Sequence, residues 1–217
     1  MPSRLYKDLK LWYKANRNST GVTHSQIPSD GTGDGTFSNG GNNLATLATP
    51  VGATCPVLNL ALANNDTWQI SGLVSNTIIT DKEFTFYIDF DVTDRNSTNT
   101  VITFHNSSGT KMMTIGVQNS PDRYRVRADA PIGSDTWIPG GTADEISGFI
   151  KMIIKYDGSN LSLFINGIKQ GVNAESFTDV INSIIYNENF DGVTQIEEIA
   201  MWNFPKTDAE CLELTRT

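Results

Sequence analysis

Apolar and polar residues alternate along much of the C-terminal two thirds of the chain, and this alternation predicts β-strands. From residue 84 to residue 92 every second side chain is apolar, whereas Asp89 and Asp91 fall on the opposite face of an extended backbone. We expect the apolar face to line an interior and the polar face to contact water. Further β-rich runs occupy residues 101–105, 112–117, 124–128 and 195–203.

Residues 148–171 predict an antiparallel meander of three strands. Two β-rich runs, at 149–156 and 161–165, flank the turn sequence Asp157-Gly158-Ser159-Asn160. Asn166-Gly167 then predicts a second tight reversal into residues 168–170, because both residues of such a turn readily adopt positive φ angles.

Outside this region the pattern is weaker. Short strands are predicted at residues 9–14, 57–63 and 68–70, with a turn at 64–66 between the last two. Residues 29–43 are rich in Gly, Asn and Ser, which predicts a long surface loop. A short helix is predicted at 208–215, where Thr207 and Glu210 form a capping box after Pro205.

Length and composition predict a single domain spanning residues 1–217, and the strand pattern predicts that it is all-β. The chain has 38% hydrophobic residues and a formal charge of −8, which argues against nucleic acid as a partner. The first fifteen residues carry several charges, so we expect no signal-peptide core, and we expect no membrane insertion either. Folding in a cytoplasm would leave Cys55 and Cys211 as buried thiols, the alternative being a disulfide between them.

The order of strands and turns resembles a known fold family. The strand, Tyr-Asp-Gly turn and Asn-Gly turn of residues 148–171, the opening run at 9–15 and the final strand at 196–203 before a short acidic helix are similar to laminin-G and pentraxin-like domains. The resemblance implies a two-sheet antiparallel jelly-roll sandwich of the concanavalin A-like kind. It also implies a protein that recognises surfaces and sugars.

Two acidic pairs are candidates for catalysis, because some sandwiches of this shape hydrolyse glycans with two carboxylates. Asp89 and Asp91 share a strand face, but solvated surface charges explain them equally well. Glu197 and Glu198 are adjacent, so on a regular strand they face opposite sides. We therefore expect a protein that is not an enzyme.

Arg123, Arg125 and Arg127 alternate along one strand and form a basic stripe about 13 Å long. The stripe could bind an acidic sugar or the carboxylates of a partner protein. The alternative, which we favour, is neutralisation by Asp89 and Asp91 on a neighbouring strand of the same sheet.

Two further candidate sites lie in loops. Trp137 follows Asp135 in a loop-like stretch, where the indole could contact a sugar at the rim of the sandwich, or could fold back over the core. Asp30 and Asp34 could hold a weak calcium ion, as loop oxygens do in some laminin-G-like relatives, although a flexible loop without metal explains them too. We expect no other cofactor.

The favoured function is that of a non-enzymatic virion surface protein of a bacteriophage, such as a capsid decoration, head-fibre or tail-fibre component. Such a protein folds in the host cytoplasm and reaches the particle exterior without a signal peptide. We expect other virion proteins as partners, a homo-oligomer, and attachment to a cell-surface glycan or cementing of the particle. The alternative is an extracellular module that binds or hydrolyses glycans.

Overall fold

A computed structural model describes residues 8–14, 36–39, 46–48, 57–61, 68–74, 79–93, 99–119, 122–129, 133, 135–140, 148–189 and 193–216. Strands dominate these residues, and one helix follows them. The elements are β1 (Leu11–Lys14), β2 (Thr36–Asn39), β3 (Thr46–Ala48), β4 (Val57–Ala61), β5 (Trp68–Ser71), β6 (Phe84–Thr93), β7 (Asn99–His105), β8 (Lys111–Asn119), β9 (Asp122–Ala128), β10 (Ile138–Gly140), β11 (Ile150–Tyr156), β12 (Asn160–Ile165), β13 (Ile168–Ala174), β14 (Ser183–Asn189), β15 (Val193–Trp202) and α1 (Asp208–Leu214).

The strands form two antiparallel sheets. The first sheet has the order β13-β12-β11-β6-β15-β4-β3, with β1 also paired to β15, and the second has the order β10-β9-β8-β7-β14-β5-β2. The all-β, two-sheet antiparallel class with a short C-terminal helix is therefore confirmed. Strands β11, β12 and β13 are neighbours in chain order, which confirms the predicted meander.

One prediction about the N-terminal half needs correction. Residues 29–43 are not a loop throughout, because Thr36–Asn39 form β2 and pair with β5. The predicted turn at 64–66 lies outside the described residues, and the strands on either side of it are in different sheets, β4 in the first and β5 in the second. The remainder of the predicted loop, including Asp30 and Asp34, lies outside the described residues.

The interior between the sheets is built from alternate side chains. The five apolar residues of β6 on the predicted inner face are all buried in it, which confirms that part of the pattern. Phe86 meets Phe104 of the second sheet with ring centres 5.0 Å apart, and Phe90 meets Tyr124 at 5.1 Å. These aromatic contacts hold the two layers together.

The outer face of β6 is not exposed to water as its polarity predicts. Asp89 is only 7% exposed and Asp91 only 9%. A second apolar cluster covers part of this face and includes Tyr87, Trp202 and Cys211. Residues from the chain termini, among them α1, thus bury the outer side of the first sheet, which local alternation could not indicate.

Helix α1 begins where the sequence predicts. The hydroxyl of Thr207 accepts a hydrogen bond from the Glu210 backbone N–H, and the Glu210 carboxylate accepts one from the Thr207 backbone N–H. Asp208 in the first turn binds both Lys155 of β11 and Lys169 of β13. The helix is therefore fastened to the outer face of the first sheet. No helix among the described residues is long and apolar enough to cross a membrane.

Candidate functional site

The three arginines of β9 lie on the outer face of the second sheet. Tyr124, Val126 and Ala128, which alternate with them, are buried in the interior, whereas the arginines are partly exposed. The predicted basic stripe is thus present. The stripe runs along β9 and lies next to the edge of the sheet, because only the short strand β10 lies beyond β9.

Trp137 immediately precedes β10 and comes to lie against this stripe. Strand β10 pairs with β9 so that Pro139 is opposite Arg125. The guanidinium carbon of Arg125 is 3.8 Å from the centre of the Trp137 ring, and that of Arg127 is 4.6 Å from it. Both are cation–π contacts, and they join two candidate sites that the sequence predicted separately.

Arg127 is neutralised by two carboxylates. Its Nη2 lies 2.9 Å from Oδ1 of Asp129, and its Nη1 lies 2.6 Å from Oδ1 of Asp135. Asp129 is itself nearly buried and accepts a 2.6 Å hydrogen bond from the Thr114 hydroxyl. Both ends of this guanidinium are therefore fixed by charge-assisted bonds.

The acids that neutralise the stripe are not those that the sequence predicted. Asp89 and Asp91 lie on β6 in the first sheet, so they cannot pair with β9. Asp89 instead has Lys151 and Glu198 as its register neighbours on the flanking strands. The sequence does contain a signal for Asp129, since it continues the two-residue alternation that starts at Arg123.

Backbone hydrogen bonds of Gly133, Asp135 and Thr136 hold the segment that precedes the indole. The backbone N–H of Gly133 donates to the Asp129 carbonyl at 2.8 Å, and that of Asp135 donates to the Ala128 carbonyl at 3.0 Å. Asn173 of β13 donates a 2.9 Å hydrogen bond from its side chain to the Thr136 carbonyl. The segment before Trp137 is thus bonded to the end of β9 and to the edge strand of the other sheet.

Arg123 and Arg125 differ from Arg127 in their partners. Arg123 donates from Nε and Nη2 to the neutral amide oxygen of Gln118, both at 3.2 Å. Arg125 has no carboxylate partner among the described residues, and its Nε is buried without an acceptor. Gly116, its register neighbour on β8, has no side chain to offer.

The pKa of Arg125 lies below its ordinary value. Burial is the main cause, and the positive charges of Arg127 and Arg123 add to it. The residue remains charged at any ordinary pH, because an arginine titrates only far above neutrality. This cluster, here called the arginine–tryptophan site, therefore holds a cation with no counter-charge in the described part of the chain. The site comprises Arg123, Arg125, Arg127, Asp135 and Trp137.

Glu197 and Glu198, on β15 of the first sheet, are not arranged as the sequence predicts. A β-bulge in β15 places Glu197 and Glu198 together between two core residues, Ile196 and Ile199, so they do not face opposite sides as a regular strand would require. Trp12 donates from its indole N–H to Glu198 at 2.7 Å. Across the described ranges no group of three or more His, Cys, Asp or Glu residues is arranged to hold a metal ion.

Comparison with known proteins supports the fold class. No protein-family model and no curated protein sequence matches the chain. A botulinum neurotoxin DC binding domain, solved with SialylT, has a TM-score of 0.67 at 14% identity, over 97% of this chain and 51% of that one. Domain 4 of the extracellular arabinanase AbnA from Geobacillus stearothermophilus, solved with arabinotriose, has a TM-score of 0.63 at 14% identity, over 96% of this chain and 98% of that one.

The binding domain of Paraclostridial Mosquitocidal Protein 1 is similar over the same extent, with a TM-score of 0.70, 13% identity, and coverage of 97% of this chain and 52% of that one. The chain thus spans about half the length of these toxin binding domains and nearly all of the arabinanase domain. At such low identity the likeness defines the fold. The chain has the β-sandwich fold of these domains.

Proposed function

We propose that the protein is a glycan-binding module and that it binds sugar at the arginine–tryptophan site. The observation that carries the proposal is the contact between Arg125 and the half-buried Trp137 ring at the edge of the second sheet. An aromatic surface, hydrogen-bond donors and a carboxylate acceptor are brought together there. A sugar offers the complementary groups, since it has apolar C–H faces and a rim of hydroxyls.

Each residue of the site has a definite role in this proposal. Trp137 provides apolar surface for a sugar ring, and its indole N–H has no acceptor among the described residues. The Asp135 side chain is 52% exposed, so its carboxylate can accept hydrogen bonds from sugar hydroxyls while it binds Arg127. The hydrogen bond from Asn173 to the Thr136 carbonyl holds this segment in place before a ligand arrives.

Known domains of this fold support the proposal. The neurotoxin domain was solved with SialylT, and the arabinanase domain with arabinotriose. Those ligands belong to those proteins, but they show that the fold is used to bind carbohydrate. A binding role is favoured over hydrolysis by the burial of Asp89 and Asp91, because a glycosidic bond must reach both catalytic carboxyl groups.

The test is a glycan array followed by titration calorimetry on the glycans that bind. Trp137→Ala should weaken binding at least tenfold, and Trp137→Phe should retain part of it. Arg216→Ala is the control, because Arg216 is exposed beyond α1 on the other sheet. Thermal unfolding of each variant separates lost binding from lost folding. An array without binders, or a folded Trp137→Ala variant with unchanged affinity, would overturn the proposal.

The setting on a bacteriophage particle stays a prediction, and we propose it as the place where the module works. Within it, glycan attachment is favoured over cementing by the arginine–tryptophan site described above. The predicted homo-oligomer is checked by light scattering of the purified chain. A strict monomer would contradict the oligomer and would leave the glycan site intact.

A further inference from the structure

We infer that the arginine–tryptophan site selects sugars that carry a carboxylate, and that Arg125 is the residue that recognises this group. The inference rests on the proposed function, because it names the ligand class of the same site. It starts from a difference between the three arginines that share one face of β9: of these, only Arg127 is paired with carboxylates of the described residues.

The charge of Arg127 is already neutralised by the protein, although its Nε, like that of Arg125, is buried without an acceptor among the described residues. Asp129 and Asp135 each bind one of its Nη nitrogens, so a ligand carboxylate would have to displace one of them. Arg125 has no such partner in the described part of the chain, although it lies closer to the indole, at 3.8 Å from the ring centre against 4.6 Å for Arg127. An unneutralised and partly desolvated cation binds an added anion more strongly than a paired one does.

The geometry also orients the Arg125 side chain. Its guanidinium lies against the Trp137 ring, so one face of the planar group is covered by carbon atoms. A guanidinium presents its N–H groups in its own plane, and a carboxylate lying in that plane can accept two parallel hydrogen bonds. A sugar ring next to the indole would carry its carboxylate into that plane.

Charge limits the ligand to one or few negative groups. The chain as a whole has a formal charge of −8. Two carboxylates, Asp129 and Asp135, accompany the three arginines, both of them bound to Arg127, so little net positive charge is left over. A densely sulfated polysaccharide needs many cations, whereas a single carboxylate needs only the fork that Arg125 offers.

The experiment compares pairs of sugars that differ only in their charge. Oligogalacturonate is set against its methyl ester, and sialyllactose against lactose, with heparin oligosaccharide as the sulfated arm. We expect the carboxylated member of at least one pair to bind ten times or more tightly than its neutral partner. Heparin should bind no better than the carboxylated sugar.

Arg125→Gln should remove the preference for the carboxylate, measured as the ratio of the affinities of the charged and the neutral sugar for the same variant, so that any loss of affinity common to both sugars cancels. Arg125→Lys keeps the charge but loses the planar fork, so it should recover only part of the preference. Arg216→Gln makes the same change of charge on the other sheet and should have no effect. Circular dichroism and thermal unfolding confirm that each variant is folded.

The outcomes separate the two proposals. Equal binding of charged and neutral sugars by the wild type, or an unchanged preference in Arg125→Gln, would overturn this inference alone. Tighter binding of heparin would replace the carboxylate by a sulfate as the recognised group and would also overturn it. Binding of no sugar in either pair or on the array would overturn the proposed function, and this inference with it.

Discussion

Nη1 of Arg127 lies 2.6 Å from Oδ1 of Asp135, and this ion pair joins strand β9 to the segment that carries Trp137. Arg127 also contacts the Trp137 ring, at 4.6 Å from its centre. Asp135 therefore helps to hold the cation on which the indole rests. The position of the indole therefore depends on Asp135, a residue with an unusual backbone conformation.

The backbone of Asp135 has a φ of +58°, which is strained for most residues and unstrained for glycine. Asp135→Ala should lower the free energy of unfolding by about 1 to 2 kcal/mol, because it combines the strain with loss of the ion pair. Asp135→Gly loses the same ion pair but gains backbone freedom. We expect it to be less destabilising than Asp135→Ala when both are measured by urea unfolding.

Asp135→Asn is the matched control, since asparagine tolerates a positive φ and lacks the charge. It should cost less than about 1 kcal/mol, which is typical of a half-exposed ion pair. Equal losses in Asp135→Gly, Asp135→Ala and Asp135→Asn would show that the ion pair, not the backbone conformation, dominates at this position, and a larger loss in Asp135→Gly than in Asp135→Ala would contradict the predicted strain.

Gly133 makes the closest backbone approach in this segment. A Cβ atom at Gly133 would lie 2.1 Å from the Ala128 Cβ and under 3 Å from the Ala128 backbone. Gly133→Ala should therefore displace the segment and destabilise the protein by about 3 kcal/mol, the upper end of the usual cost of overpacking. Urea unfolding gives the energy, and Trp fluorescence reports the changed surroundings of Trp137.

Gly140→Ala provides the comparison, because its added Cβ would lie at an ordinary contact distance, 3.5 Å, from the Tyr124 carbonyl oxygen and, among the described residues, would be closer than 3 Å only to the ends of the Ile165 and Leu163 side chains. Such atoms can shift, so about 1 kcal/mol is expected. Equal costs for Gly133→Ala and Gly140→Ala would contradict the prediction that displacing the segment from Ala128 is the more costly change.

The local pattern of apolar and polar residues predicts those structural features that depend only on residues close together in the sequence. The alternation in β6 and the capping box of Thr207 and Glu210 were both identified in this way. The contact between Arg125 and Trp137 was not, because it depends on β10 pairing with β9, and β10 is only three residues long. A strand that short carries no periodic signal.

Burial of the outer face of the first sheet was missed for a related reason. Tyr87 is covered by Leu9 from one end of the chain and by Cys211 and Leu214 from the other. Nothing in the sequence of β6 indicates which distant segment will pack over it. Polarity predicted exposure there, whereas Lys151 and Glu198 on the flanking strands give Asp89 charged and polar neighbours within the sheet.

Cys211 should be unreactive in the folded protein. It is fully buried, and burial raises the pKa of its thiol to about 12. At pH 8 the reactive thiolate would therefore be a very small fraction, of the order of one in ten thousand. In a Cys55→Ser variant, which leaves Cys211 as the remaining cysteine, Ellman's reagent should react at least a hundred times more slowly before than after denaturation in urea. Comparable rates in the two states would contradict the burial of the thiol.

Asp208 should make stability depend on pH in the acid range. Burial tends to raise the pKa of its carboxyl, but the hydrogen bonds and charges of Lys155 and Lys169 outweigh burial, and the pKa is lowered from its usual 3.8. A carboxyl with a lowered pKa in the folded state stabilises the fold fully above its unfolded pKa, and this contribution is lost as the pH falls through the folded pKa. Asp208→Asn should therefore reduce the free energy of unfolding by about 1 kcal/mol at pH 7. The difference from the wild type should shrink between about pH 4 and pH 2.

The ion pair between Asp208 and Lys155 stabilises the fold although the Asp208 side chain is half exposed, and the reason is the burial of Lys155. The Lys155 side chain is only 9% exposed, so loss of its carboxylate partner leaves an ammonium group nearly buried. In a Lys155→Met background the same Asp208→Asn change should cost less, because no buried charge is then left without a partner. Urea unfolding at pH 7, 4 and 2.5 for the four proteins of this cycle measures the coupling. A cost of Asp208→Asn that is the same in both backgrounds, or the same at pH 7 and pH 2.5, would show that the carboxylate does not stabilise the fold through Lys155.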